Sequence, residues 1–293
     1  MHILHQFLFH YLFVVLLLFR IITTISVGSY FFIWIMVEAT VFFTIPLIVS
    51  DTSRPNFNTE SVIVYFVYQA VASILILCGV IQWVRDSPSF LLAIGIMVKL
   101  GVVPFHVWVL PVLKGCSLHI LFLLLVPIKL PLYILRAYWV EDFLLLLLIR
   151  VMAGILLAIN QSSLLRLVRA SRISSTGVLL LCLKVGIFNW YFLGYALSLG
   201  CVLYGLFRSD GLMSSIGILS ILGLPFLPIF FPKLSLLISL INRIPFMSLL
   251  ILTSFMISAT YYVKFLPLGI IKPSSKRLKA LRAIVAVSIM TML

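Results

Sequence analysis

Acidic side chains are scarce, with seven Asp and Glu against 21 Lys and Arg in 293 residues. Charge of both signs makes up only 10% of the chain, too little to clothe a soluble domain. Paired catalytic carboxylates, an HExxH run and a serine–histidine arrangement are all missing, which sets aside the common hydrolytic sites. Cysteine is sparse too. Cys78, Cys116, Cys182 and Cys201 lie far apart in or near apolar stretches and show no CxxC spacing, which argues against zinc, haem and iron–sulfur ligation and leaves buried free thiols as the expectation. No glycine-rich strand-to-helix fingerprint for a dinucleotide is present, so no cofactor is expected in this chain. The opening residues, MHILHQFLFHYLFVVLLLF, lack the basic region and small-residue cleavage site of a signal peptide and the Arg/Ser-rich pattern of a transit peptide. They are expected to form the first membrane span.

What the chain has in abundance is apolar surface. Hydrophobic residues make up 63% of it and the mean hydropathy is +1.28, a surface that no water-soluble core could hide. Several apolar runs are about 20 residues long, enough to cross a hydrocarbon layer of about 30 Å as helix. The two-residue alternation of barrel strands is absent. The expected fold is therefore an all-α, polytopic membrane bundle with proline-broken helices, a single transmembrane domain over residues 1–293. Cutting at charged and Gly/Pro/Asn/Ser punctuation predicts about eleven spans, near 3–22, 29–49, 59–83, 88–108, 116–138, 143–163, 164–183, 187–207, 212–241, 245–267 and 280–293. Every connection is short, leaving no room for a globular domain.

The formal net charge of +14 does not point to nucleic acid, because the basic residues sit singly in short connections. If the spans alternate, one membrane face receives Arg54, Lys114, Arg166, Arg169, Arg172, Arg208, Lys272, Lys276, Arg277 and Lys279. The other face receives Arg20, Arg85, Arg136, Lys184 and Arg243. This asymmetry is the positive-inside pattern, and it places the amino terminus on the side of synthesis. Arg166, Arg169 and Arg172 are expected in a positive-inside loop, with contact to phospholipid headgroups as the second reading.

Four charges do not fit a topological role. Glu38 is the one acidic residue inside an apolar run, while Lys99 lies within LLAIGIMVKLGVV, Lys129 within LLLVPIKLPLYIL and Lys233 within LPIFFPKLSLLIS. Charge at the centre of a span costs at least about 2.5–3.5 kcal/mol, so four chance placements make a poor explanation. Prolines accompany the lysines. Pro104 should leave the carbonyl of Leu100 without its helical partner, Pro127 and Pro131 should free those of Leu123 and Pro127, and Pro225, Pro228 and Pro232 should break the helix leading to Lys233. Broken backbone at membrane depth is tolerated only inside protein or beside water. A lysine beside freed carbonyls and waters can be hydrogen-bonded in both its protonation states and so can transfer a proton. The bland reading of any single lysine is a structural ion pair or a snorkelling side chain. Arg150 stays charged, so it can anchor a helix or set a field but not relay. His106 is read equally as a relay group or as a satisfied interfacial histidine.

These residues also carry a resemblance. VKLGVVPFHVWVLPVLKG (98–115) resembles the KLG-x-x-PFH-x-W signature of the NADH dehydrogenase subunit 2 family, antiporter-like membrane subunits of respiratory complex I. YFVYQAVAS (65–73), AINQSSLLRLV (158–168) and GLPFLPIFFPKL (223–234) follow in the family's order, and WIMVEATVFFTIPLI (34–48) resembles its glutamate-bearing segment. The resemblance covers about positions 25–265, and the KLGVVPFH and NQ elements are its specific parts. It implies a proton-translocation axis through Glu38, Lys99, Lys129 and Lys233, driven by NADH-to-ubiquinone electron transfer in other subunits. It also implies other membrane-arm subunits as partners, no small-molecule substrate but protons, and the mitochondrial inner membrane, with the amino terminus on the matrix side. Some positions depart from the family. Pro111 stands for a glutamate, Ile128 for a glutamine and Ser175 for a histidine, and Arg150 has no counterpart, so water chains must bridge more of any route. A structural subunit that conducts no protons and a stand-alone cation/proton antiporter are the alternatives the residues leave open.

Overall fold

The structure, a computed structural model, describes residues 2–26, 29–50, 55–85, 90–101, 104–130, 144–159, 161, 163–208, 210–243 and 245–264. Among them the chain forms two compact helical units, residues 1–142 and 143–293. Four helical stretches are long and apolar enough to cross a membrane: Phe31–Val49, Glu60–Gln82, Phe188–Phe207 and Pro245–Val263. The chain is a multi-pass membrane protein.

The first unit contains α1 (His2–Ser26), α2 (Tyr30–Val49), α3 (Pro55–Arg85), α4 (Phe90–Leu100), α5 (Val109–Gly115), α6 (Leu118–Leu125) and a 3-10 turn (Pro127–Lys129). α1 packs on α2, α2 on α3, and α3 on both α4 and α5. The α3–α4 contact is the closest, and its cause is small residues. A Cβ on Gly95 of α4 would lie 2.7 Å from Cγ1 of Ile76 and 3.0 Å from the Ala72 carbonyl oxygen of α3. Glycine lets these backbones approach, which in a membrane supplies the packing that a hydrophobic drive cannot. α4 is buried along its length, and Lys99 sits in its last turn. The outward faces carry Phe31, Phe32, Phe42, Ile63 and Ile74, all exposed, as suits helices turned to lipid or to neighbouring subunits.

The second unit contains α7 (Leu144–Ile159), α8 (Leu164–Val185), α9 (Phe188–Phe207), α10 (Gly211–Leu222), α11 (Phe230–Arg243) and α12 (Pro245–Val263). α7 packs on α8 and α12, α9 on α10, and α11 on α12. Small residues again mediate the contacts, with Gly154 of α7 against the backbone of Ser174 and Gly217 of α10 against Val202.

Several sequence expectations need correction. The span expected at 88–108 ends as helix at Leu100, where Gly101 adopts φ +65°, and the one expected at 212–241 is two helices separated by residues 223–229. The span expected at 116–138 stops at Leu125, and its continuation beyond residue 130 lies outside the described residues, as does the last span, 280–293. The carbonyl of Pro127 is not free but accepts the amide of Leu130. Arg169 and Arg172 are not loop residues. They lie on α8 and are 5% and 2% exposed, while Arg166, nearer the helix start, is exposed. Their spacing of three places them on one side of the helix, turned into the unit. Among the thiols, Cys116 and Cys182 are buried as expected, Cys201 is partly so, and Cys78 is exposed, facing outward from α3.

Candidate proton-transfer sites

In the first unit, Nζ of Lys99 lies 3.2 Å from Oε2 of Glu38. The lysine side chain is 1% exposed and the carboxylate 23%. α2 and α4 supply the two residues, and α3, which packs against both, lies alongside the pair. A buried lysine needs a partner of opposite charge, because taking a lone ammonium from water into an apolar interior costs far more than the pair does. Glu38 is that partner. It is also the more accessible member of the pair.

The helix end beside Lys99 is held open by side chains. The carbonyl of Val98 accepts both the Gly101 amide and Nε1 of Trp108, each at 3.0 Å, and the carbonyl of Lys99 accepts Nε2 of Gln69 at 3.4 Å. Sequence reasoning placed the liberated carbonyl at Leu100. The structure shows side chains bonded to the two carbonyls before it, because the chain turns sharply at Gly101, ahead of Pro104. Trp108 also stacks on Tyr68 at 6.3 Å between ring centroids and meets Tyr65 edge-on at 5.9 Å. Tyr65 in turn accepts a hydrogen bond from Thr44 of α2 at 3.0 Å. Neither Gln69, Trp108 nor Tyr65 was singled out from sequence as part of the site. Gln69 carried a signal, a lone amide within the apolar run FVYQAVA.

His106 lies in the turns between α4 and α5, and its Nδ1 is buried without a hydrogen-bond partner among the described residues. Lys129 belongs to the 3-10 turn after α6; its side chain, like that of Arg150 on α7, lies outside the described residues.

In the second unit, Lys233 occupies the first turn of α11, immediately after the helix break. Its Nζ donates to the carbonyls of Ile221 at 2.7 Å and Leu222 at 2.9 Å, the last two residues of α10. It also lies 4.7 Å from the centroid of the Phe255 ring, a cation–π contact. Pro225 and Pro228 help to produce this geometry by keeping residues 223–229 out of helix, which leaves the end of α10 without helical donors, whereas Pro232, also expected to break the helix, is accommodated in the first turn of α11. Gly223 completes the break. Its φ of +80° is left-handed, and a Cβ there would stand 3.0 Å from Cδ of Lys233. A neutral amine still offers two N–H groups to the two carbonyls, and an ammonium offers a third, so the same cradle holds either state.

Both sites therefore join a basic group to an interrupted helix, and among the described residues no group of three His, Cys, Asp or Glu could hold a metal. No protein-family model matches the chain. Among curated proteins it is similar to NADH-ubiquinone oxidoreductase chain 2 of Albinaria caerulea, 28% identical over 221 residues that cover 70% of this chain and 72% of that one. Among solved structures, a chain of respiratory complex I from Thermus thermophilus superposes with a TM-score of 0.72 at 23% identity, covering 88% of this chain and 70% of that one. A chain of the Mrp complex from Dietzia sp. DQ12-45-1b gives 0.73 at 15% identity, covering 87% of this chain and 59% of that one. The chain is thus a sequence relative of NADH-ubiquinone oxidoreductase chain 2, built on the antiporter-like membrane fold.

Proposed function

We propose that the chain is a membrane-arm subunit of an NADH:ubiquinone oxidoreductase and that it carries part of a proton path across the membrane. The observation that carries this reading is the Glu38–Lys99 pair, a titratable couple buried beside an interrupted helix. A purely structural pair has no need of the broken backbone, whereas a relay does, since freed carbonyls and waters keep both protonation states bonded. Lys233 repeats the arrangement in the second unit. Lys129 and His106 complete the proposed set. Redox chemistry belongs to other subunits, and this chain uses no cofactor of its own. The chain sits in the mitochondrial inner membrane with its amino terminus in the matrix, among other membrane-arm subunits and phospholipids. Stand-alone cation/proton exchange is the second reading, and the fold match does not separate the two, since an Mrp chain superposes as well as one of complex I. The sequence relatives favour the first.

The two readings separate by experiment. Glu38→Gln in assembled complex, reconstituted in vesicles, should lower proton translocation driven by NADH. The stand-alone reading instead requires the isolated chain in vesicles to exchange cations for protons without NADH, and such activity would overturn the proposal.

A further inference from the structure

The surroundings of Lys233 hold a feature that the relay itself does not use: a half-open cavity of about 40 Å³ bordered by residues of α7–α12, many of them bearing hydroxyls. Ser171, Ser174, Ser254, Ser258, Tyr261 and Tyr262 all border it, together with Lys233. A water occupies roughly 10–15 Å³ by this measure, so about two or three waters fit. Polar partners for them are at hand on every side.

The hydrogen bonds of the lining decide what those waters would meet. Ser171, Ser174, Ser254 and Ser258 each donate their hydroxyl hydrogen to the carbonyl three residues earlier, at 3.2, 2.6, 2.6 and 2.8 Å. Tyr262 donates to Ser171 at 2.7 Å. The hydrogens of these five hydroxyls are thus spent on protein, and their oxygen lone pairs remain for the cavity. A chamber lined by acceptors favours occupants that bring donors, and an ammonium or a water carrying an excess proton is such an occupant. Lys233 completes the match. Two of its three N–H groups are committed to the carbonyls of Ile221 and Leu222, so only the third position is open to exchange, on the side of the cavity that Lys233 borders together with the Phe255 ring, 4.7 Å away, and the hydroxyls.

We infer that this hydroxyl-lined chamber is the proton-exchange port of Lys233, and that Tyr262, Ser171 and Ser254 are positioning residues that hold water against its third N–H. The inference rests on the proposed function. In the transfer, the N–H bond breaks with its electron pair staying on Nζ, and an O–H bond forms on the adjacent water. That water hands one of its own protons to the next, and the hydroxyls end unchanged. The neutral amine keeps both remaining N–H groups on the two carbonyls and offers its lone pair to the same water for the return step.

The test uses assembled complex in vesicles and an isosteric pair at Ser254, which is 1% exposed and borders the cavity. Ser254→Thr and Ser254→Val add the same branched shape, but only threonine keeps the oxygen. Ser254→Thr should keep turnover and the proton-to-electron ratio, while Ser254→Val should lower proton-coupled turnover about tenfold. Equal behaviour of the two would overturn the port, because packing alone would then explain the site. Should neither variant assemble, Tyr262→Phe decides, since it removes one oxygen and adds no volume; wild-type turnover there contradicts the inference, and a comparable loss supports it. Lys233→Met run alongside keeps the layers distinct. Normal pumping in Lys233→Met overturns the underlying reading, whereas impaired pumping there with equal Ser254 variants sinks only the port.

Discussion

Lys99 and Glu38 are separated by 61 positions in the chain and by 3.2 Å in space. The lysine is nearly sealed, while the carboxylate keeps a side open. The pair is thus asymmetric, with a sealed lysine and a more accessible carboxylate.

One consequence concerns stability. Removing one member of a buried ion pair costs about 3–5 kcal/mol because the other is left uncompensated, whereas replacing both by apolar groups is often neutral. Glu38→Gln should therefore assemble less well than the double variant Glu38→Gln, Lys99→Met, in which no lone ammonium remains. Thermal stability of the assembled complex would show the non-additivity, and strictly additive losses would mean that the two groups do not interact.

The break before Lys233 makes a second prediction. Gly223→Ala places a Cβ on a residue at φ +80° and within 3.0 Å of the Lys233 side chain. The backbone cost is about 1–2 kcal/mol, and the lysine must move from its carbonyls. Turnover should fall more than the amount of assembled complex does, and normal turnover would mean that the cradle geometry is not needed.

Charges stranded in apolar runs were visible in the sequence, as were the prolines that break the backbone near Lys99 and Lys233, because both break rules that lipid enforces. The pairing of Lys99 with Glu38 was legible too, as the two stranded charges of the axis that the resemblance implies, although no local pattern links residues on α2 and α4. Arg169 and Arg172 were misread because RLVRASR follows punctuation and resembles a loop of the positive-inside kind, when it forms the start of α8 and turns these two arginines inward. Of the hydroxyls around Lys233 only Ser175 drew notice, as a departure from the family's histidine. Serines and tyrosines are ordinary in membrane helices, where each bonds back to its own backbone, and only the packing of α8, α11 and α12 gathers them.

Packing of α3 on α4 positions the first site, and Gly95 tests it. Gly95→Leu would push a branched side chain into Ile76 and the α3 backbone, where the Cβ alone already lies at 2.7 and 2.8 Å. Overpacking of this kind costs about 1–3 kcal/mol or more, and here it also moves α4 away from α2. Assembled complex should fall sharply in membranes. Wild-type levels would show that the close approach is dispensable.

Trp108 holds the carbonyl of Val98 and covers Tyr65 and Tyr68. Trp108→Phe keeps most of the ring area and removes the N–H, which costs about 1–2 kcal/mol and loosens the end of α4. Hydrogen exchange at the Gly101 amide, which shares that carbonyl, should quicken relative to amides in α3, and unchanged exchange would detach the tryptophan from the helix end.

The central claim is that Lys99 carries protons rather than merely tying α4 to α2. Lys99→Met keeps length and apolar surface while removing the titrating group. NADH oxidation alone cannot judge it, because a block in pumping also slows coupled electron transfer. The direct measurement is the proton-to-electron ratio together with turnover in correctly assembled Lys99→Met complex, reconstituted in sealed vesicles. A lowered ratio, or turnover reduced about tenfold or more at normal assembly, is the predicted result. An unaltered ratio at unaltered turnover would contradict the account and leave Lys99 a structural residue.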